Sequence, residues 1–154
     1  MTIAVVLVLA VFGKAGAQPQ NEERVHLGVT ACAGNTCHGA VERLKGSSVP
    51  QNEYLIWSQE TDKPRIDKHH QAYKALLTDR AKQIAHNLGL SDAANSKLCL
   101  KCHADYVDAG RRGPQYRIED GVGCEACHGA AEKWLGPHYS RVPHDVLVRD
   151  YKLT

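Results

Sequence analysis

All six cysteines of this chain fall in three short segments, and each segment ends in the dipeptide Cys-His. In the pattern C-x-x-C-H, the two thiols can add to the vinyl groups of a haem, and the adjoining imidazole reaches the iron as its proximal ligand. Each residue type therefore has its own task in holding one covalent haem. The sequence predicts three haem c groups, attached through Cys32, Cys37, Cys99, Cys102, Cys124 and Cys127, with His38, His103 and His128 as proximal ligands.

The first segment departs from this spacing, because four residues instead of two separate Cys32 from Cys37. Gly34 and Asn35 lie in this longer loop, and their conformational freedom allows it to bulge so that both sulfurs reach one haem edge. We therefore expect the first segment to bind haem as the other two do.

Two other uses of the cysteines stay open. The second and third segments contain two C-x2-C pairs, which also suit a closed tetrahedral zinc site. Six cysteines in an exported chain also allow three disulfide bonds. Neither alternative explains why a histidine follows each pair of cysteines. The zinc alternative would use Cys99, Cys102, Cys124 and Cys127.

The N-terminus carries an apolar run from Thr2 to Phe12, followed by Ala15-Gly16-Ala17. This pattern is typical of a secretory signal peptide with an A-x-A cleavage site, and the run is short for a membrane span. We expect a signal peptide at residues 1–17, a single domain at residues 18–154, and a periplasmic or extracellular location. Because no Lys or Arg precedes the run, a retained membrane anchor is the alternative.

The predicted mature domain has few aromatic side chains and many glycines, so side-chain burial alone would stabilise it poorly. Three covalent haems would supply apolar surface around which the chain can wrap, and we expect no stable fold without them. The fold class predicted is mainly α with much irregular loop. The arginines are scattered, which gives no sign of nucleic-acid binding.

Periodicity predicts one long helix from about Lys68 to Leu88, with Gly89 as its C-terminal cap. Ser91 and Asp92 are predicted to begin a shorter helix that leads into Cys99. Gly121-Val122-Gly123 is expected to let the backbone approach the third haem closely. The tail from Trp134 to Thr154 contains two prolines and is predicted to be irregular.

Six histidines remain besides the proximal ligands, and a second imidazole on an iron would make that haem six-coordinate and suited to electron transfer. His26 and His138 are distal candidates. Either His69 or His70 is a third, but periodicity does not choose between them. His86 is expected to be a surface residue, and His144 is the weakest candidate.

Several segments resemble the cytochrome c-554 family of multihaem cytochromes, and the resemblance covers most of the mature chain. Gly121 to Ala130, followed by Gly136-Pro137-His138, resembles the third haem segment of that family. The stretch from His26 to Gly39, and Trp57-Ser58 followed by Asp67 to Tyr73, resemble its first haem segment and a downstream distal histidine.

The resemblance implies a small multihaem cytochrome c wrapped around haems that stack nearly parallel. It favours His69 over His70 as a distal ligand, with the haem on His128 as its partner. It also implies that the haem on His103 is five-coordinate. Family members usually have a fourth C-x-x-C-H segment, which the histidine matching His138 would serve. This chain is therefore either a three-haem form or an incomplete sequence.

The function expected is electron transfer between redox partner proteins, which include other cytochromes or copies of this chain, by an exported three-haem cytochrome. One alternative is an oxidoreductase whose open haem at His103 acts on a small nitrogen or sulfur compound. Another is a haem-wiring subunit of a larger assembly, in which His26 or His138 ligates a neighbour's haem. A membrane would be a partner only if residues 1–17 are retained.

Overall fold

The computed structural model describes residues 24–59 and 67–154, so the predicted signal peptide lies outside the described residues. Within these two ranges the chain forms short helices joined by irregular loops, and its only β-pairing is an isolated bridge between His26 and Arg112. The predicted mainly α fold class is confirmed. None of the helices in the described part has the length and apolar character needed to cross a membrane. The α-helices are α1 (Glu53–Trp57), α2 (Asp79–Asn87), α3 (Lys97–His103), α4 (Glu125–His128), α5 (Leu135–Tyr139) and α6 (His144–Tyr151), and the 3-10 helices are Val29–Ala31, His69–Gln71, Lys74–Leu77, Ala109–Arg111 and Ile118–Asp120.

The single long helix predicted from Lys68 to Leu88 is wrong. The region divides into two 3-10 helices and then α2, and the break lies at Thr78, whose backbone is extended with ψ of 155°. The Thr78 hydroxyl accepts a hydrogen bond from the Ala81 N–H and so caps the start of α2. The predicted C-terminal cap at Gly89 is confirmed by its positive φ of 68°.

Two further predictions, the start of the helix that contains Cys99 and the irregular tail, are wrong. A short helix does contain Cys99, as predicted, but it begins at Lys97, so Ser91 and Asp92 lie before it and not at its start. The tail is not irregular but contains α5 and α6. Pro137 lies in the first turn of α5 and Pro143 precedes α6, positions where the missing N–H of proline breaks no intrahelical hydrogen bond.

The buried side chains form two small clusters, and about half of the buried apolar residues are alanines. The first cluster includes Leu76 and Leu100 and packs α2 and α3 together, while the second joins Trp134 to Leu147 near α5 and α6. Several larger apolar side chains on, or directly after, the helices that contribute to the first cluster are exposed instead, as they would be if a large apolar group covered them. These exposed side chains are Leu77, Ile84, Leu88 and Leu98.

The backbone at Gly121 lies directly against the segment that carries His69. Gly121 has a φ of 74°, and a Cβ atom built there would lie 2.5 Å from the His69 carbonyl oxygen. That carbonyl accepts a hydrogen bond from the Val122 N–H at 3.0 Å, and the Val122 carbonyl accepts one from the Trp57 indole at 2.9 Å. This close approach joins two backbone segments and fixes His69 beside the third Cys-His segment, while the approach of residues 121–123 to a haem stays a prediction.

Candidate haem-binding site

The second and third Cys-His segments are helical. Cys99 and Cys102 lie in α3. Cys127 lies in α4, and Cys124 is the residue immediately before this helix. Residues three apart on a helix lie on the same face, so each pair of thiols points to the same side. In the third segment the His128 N–H donates to the Cys124 carbonyl at 2.9 Å, which closes the segment into one turn.

The first segment reaches a similar closure with a longer loop. The His38 N–H donates to the Cys32 carbonyl at 3.1 Å, although two more residues separate them than in the third segment. The extra residues fold back on Gly39, where a Cβ atom would lie 2.1 Å from the Ala33 carbonyl oxygen. The loop thus brings the backbone of His38 next to that of Cys32.

All three predicted proximal imidazoles are held through Nδ1 by an oxygen acceptor. His38 Nδ1 lies 3.0 Å from Glu53 Oε2, whereas His103 and His128 each lie 2.9 Å from a backbone carbonyl. Since these oxygens only accept, Nδ1 carries the proton and Nε2 keeps its lone pair for a metal. The two carbonyls belong to Ala72 and Thr154.

Burial acts to raise the pKa of the Glu53 carboxyl and is the largest single effect, but the hydrogen bond from His38, a hydrogen bond with the backbone of Glu53 itself and electrostatic attraction by His38 together lower this pKa overall. The carboxylate is therefore charged at neutral pH. Glu53 stands at the start of α1, which the Tyr54 N–H fixes to the His38 carbonyl at 2.9 Å.

Two of the distal candidates show the same Nδ1 arrangement. His26 Nδ1 lies 2.8 Å from Asp105 Oδ2, and His69 Nδ1 lies 2.7 Å from Asp67 Oδ1. Both imidazoles consequently have Nε2 available, which is how second-sphere carboxylates orient histidine ligands in metal sites. His26 also lines a cleft of about 340 Å³ together with Cys127, which brings it beside the third segment.

His70 differs from His69 in its burial and in its hydrogen bonding. Its side chain is buried against the Trp57 ring, with the ring centres 5.5 Å apart. Neither ring nitrogen of His70 has a hydrogen-bond partner among the described residues. A buried polar group without a partner is costly, which marks His70 as a residue in need of explanation.

The third distal candidate, His138, lies opposite His38. The centres of the two rings are 6.1 Å apart and their planes differ by 8°. Desolvation and the nearby imidazoles of His38, His144 and His128 lower the pKa of His138 and favour the neutral form that binds metals. His86 and His144 are exposed, in line with the expectation that His86 is a surface residue.

The structure joins none of the six cysteines, all of which lie in the described ranges, in a disulfide bond. Cys32 and Cys124 interact directly: the hydrogen bond with Cys124, together with burial, raises the pKa of Cys32, and the same contact lowers that of Cys124. The first attachment positions of the first and third segments are thus neighbours. Among the described residues, the metal-ligand cluster that the side chains form contains no cysteine, so the predicted zinc alternative gains no support.

That cluster consists of His26, Asp105 and Glu125, whose ligand atoms lie within 4.8 Å of one another. Glu125 is only 3% exposed, and its carboxylate accepts three backbone hydrogen bonds, from Leu27, Gly28 and Ala131, at 2.9, 2.7 and 2.6 Å. Three of the roughly four lone-pair positions of this carboxylate are therefore engaged by backbone donors. Glu125 therefore acts as a clamp that joins the third Cys-His segment to the chain before the first.

Sequence reasoning missed the groups that orient the imidazoles. Asp67 lies two residues before His69, so a search for carboxylates near histidines could have found it. Asp105 gives no such signal, because 79 residues separate it from His26. Glu53 gives no such signal, because fifteen residues separate it from His38. The acceptors for His103 and His128 are backbone oxygens of Ala72 and Thr154, and the residue types at these positions do not indicate such contacts.

Paired thiols beside imidazoles with a free Nε2, on a helical scaffold, are the features of a c-type cytochrome. Residues 31–129, about two thirds of the 154-residue chain, match the family described as cytochrome c554 and c-prime, and this range contains all three Cys-His segments. The chain belongs to this family, and is thus an electron-transfer cytochrome with covalently bound haem c. No match was found among the curated proteins or the solved structures.

Proposed function

We propose that this chain is an exported three-haem cytochrome that passes single electrons between redox partner proteins. The observation that carries the proposal is the shared arrangement of the three proximal imidazoles, each with Nδ1 bound to an oxygen and Nε2 free. Haem c supplies the one-electron chemistry, and the chain fixes the spacing and environment of the irons. The attachment residues are the six cysteines of the three segments, Cys32, Cys37, Cys99, Cys102, Cys124 and Cys127.

In this proposal His138 is the distal ligand of the haem on His38. Two metal–imidazole bonds of roughly 2 Å, and roughly 1 Å from each ligating nitrogen to its ring centre, add to about 6 Å. The 6.1 Å between the two ring centres supports an iron between them. This assignment replaces the expectation, drawn from the resemblance, that His138 would serve a fourth haem.

His69 is proposed as the distal ligand of the haem on His128. The hydrogen bond between Val122 and the His69 carbonyl places His69 beside the third segment, and Asp67 leaves its Nε2 free. His26 is the second candidate for the same iron, because it shares a cleft with Cys127.

Contact between the thiols of Cys32 and Cys124 supports a short path for electrons. If both sulfurs are attached to haem, the edges of the first and third haems adjoin at this point. Closely spaced haems suit a relay, and partner proteins would dock transiently at an exposed haem edge over a small area. The partners, including other cytochromes or copies of this chain, are part of the proposal.

All nine histidines lie in the described ranges, and none forms with His103 a ring pair like that of His38 and His138. This observation favours an open iron at His103 and keeps the second candidate function, an oxidoreductase acting on a small nitrogen or sulfur compound. The two functions differ in whether the ferrous haem on His103 binds an exogenous ligand.

The test is the visible spectrum of the reduced, full-length protein before and after carbon monoxide, with haem quantified per chain. We expect three haems, and no response from the first and third, because His138 and a second imidazole cap their irons. No response from the second haem as well would favour the pure carrier, and a response from one haem in three would favour the oxidoreductase. Fewer than three haems, or a response from two, would contradict the proposal.

The adjacent histidines His69 and His70 provide a matched pair of variants. His69→Leu is expected to open one additional iron to carbon monoxide, because it removes a free Nε2. His70→Leu should leave the carbon monoxide response unchanged and the midpoint of thermal unfolding equal or higher, because the nitrogens it removes have no described partner. An opened iron in His70→Leu would make His70 the ligand instead, and an opened iron in His26→Leu but not His69→Leu would give the role to His26.

A further inference from the structure

The acceptors that hold the three proximal imidazoles differ in charge. His38 donates to the carboxylate of Glu53, while His103 donates to the neutral carbonyl of Ala72. The two distances are nearly equal, 3.0 and 2.9 Å, so the charge of the acceptor is the main difference between these two contacts. Within the described residues, Glu53 is the side-chain carboxylate bound to a proximal imidazole.

The charge of this acceptor affects the iron through the imidazole. A carboxylate attracts the Nδ1 proton more strongly than a carbonyl does, which increases the electron density that Nε2 donates to a metal. Greater donation stabilises the ferric state relative to the ferrous state and so lowers the reduction potential. A carbonyl acceptor has the same effect to a smaller degree.

The position of Glu53 is built into the fold. Glu53 is the first residue of α1, and the next residue, Tyr54, donates its N–H to the His38 carbonyl at 2.9 Å. One turn later in α1, Trp57 donates its indole N–H to the carbonyl of Val122, which lies two residues before Cys124 in the sequence. The helix is therefore fixed at both ends, and it holds Glu53 against the His38 imidazole although the two side chains are 57% and 41% exposed.

We propose that Glu53 is a positioning residue that lowers the reduction potential of the haem on His38 through the Nδ1 proton. This inference rests on the proposed function, because it takes His38 as an iron ligand. It goes further by assigning a role to the charge of the acceptor: with Glu53 in place, a haem on His38 would be harder to reduce than the same haem with a neutral acceptor, and the proton would stay on Nδ1 of His38 in both oxidation states.

The test is a spectroscopic potential titration of the haem-loaded Glu53→Gln variant. Glutamine keeps an oxygen that accepts from Nδ1 but removes the negative charge. We expect the ferrous-to-ferric ratio of one haem to rise roughly tenfold at a fixed potential, an upward shift of about 59 mV for a one-electron couple. The other two haems should keep their potentials. Asp79→Asn is the matched control, because the Asp79 carboxylate is exposed and pairs with Lys82.

A second variant, Glu53→Asp, keeps the charge but shortens the side chain, and should lie between wild type and Glu53→Gln. The ferric electron paramagnetic resonance spectrum gives an independent readout, since a weaker imidazole donor changes the signal of one haem. Three haems with unchanged potentials and signals in Glu53→Gln would overturn the inference while leaving the proposed function intact. Loss of a haem or a new response to carbon monoxide in Glu53→Gln would also overturn it, because Glu53 would then hold His38 in place. A wild-type chain without haem on His38 would instead refute the proposed function.

Discussion

His138→Leu is expected to open the iron on His38 and to make one further haem per chain responsive to carbon monoxide. The expectation follows from the 6.1 Å separation of the two rings, which fits two imidazoles on one iron. Leucine cannot ligate, so the first haem would become five-coordinate and high-spin, and its reduced spectrum would change on adding carbon monoxide. The measurement is the fraction of the reduced α band that responds, compared with the wild-type protein.

His144→Leu is the matched control for His138→Leu. His144 is exposed at the start of α6 and is close enough to His138 to influence its pKa, but His138 is the residue that forms a ring pair with His38. The control should therefore keep the wild-type response. If His138→Leu kept it too, the pairing of His138 with His38 would be wrong, and a response in His144→Leu alone would assign the ligand to His144.

The Cys-His segments and the helical class were predictable because the information for both is local. Cysteine spacing and the adjoining histidine are read within five to seven residues, and the family match over residues 31–129 agrees with the cytochrome they indicated. The helix boundaries were less accessible. Thr78, Pro137 and Pro143 are all residues that interrupt helices in some contexts and begin them in others, and the backbone around them decides which.

The orienting contacts of the site were not predictable, since they depend on the tertiary fold. Helical periodicity could not choose between His69 and His70 because the two residues lie in a 3-10 helix and not in a long α-helix. Their different surroundings come from Asp67 on one side and Trp57 on the other. Likewise, the approach of His138 to His38 joins residues that are distant in the chain.

The clamp at Glu125 is expected to be the most sensitive position for stability outside the haem attachments. Glu125→Ala would leave the N–H groups of Leu27, Gly28 and Ala131 without their acceptor in a buried region. Unpartnered buried donors cost roughly 1–3 kcal/mol each, so the free energy of unfolding should fall by about 3 kcal/mol or more. Denaturant unfolding of the haem-loaded protein measures this, with the exposed Glu119→Ala as control.

Glu125 lies between the two cysteines of the third segment, and it also holds the chain beside His26. The Glu125→Ala variant distinguishes the contribution of Glu125 to haem attachment from its contribution to stability. Glu125→Gln keeps the shape but brings an amide donor towards N–H donors, and should lose an intermediate amount of stability. If Glu125→Ala changed the free energy of unfolding by less than about 0.5 kcal/mol, as a surface substitution does, the clamp would be refuted. A large loss with three haems still bound would show that its main contribution is to join residues 27–28 to the third segment, and not to attach haem.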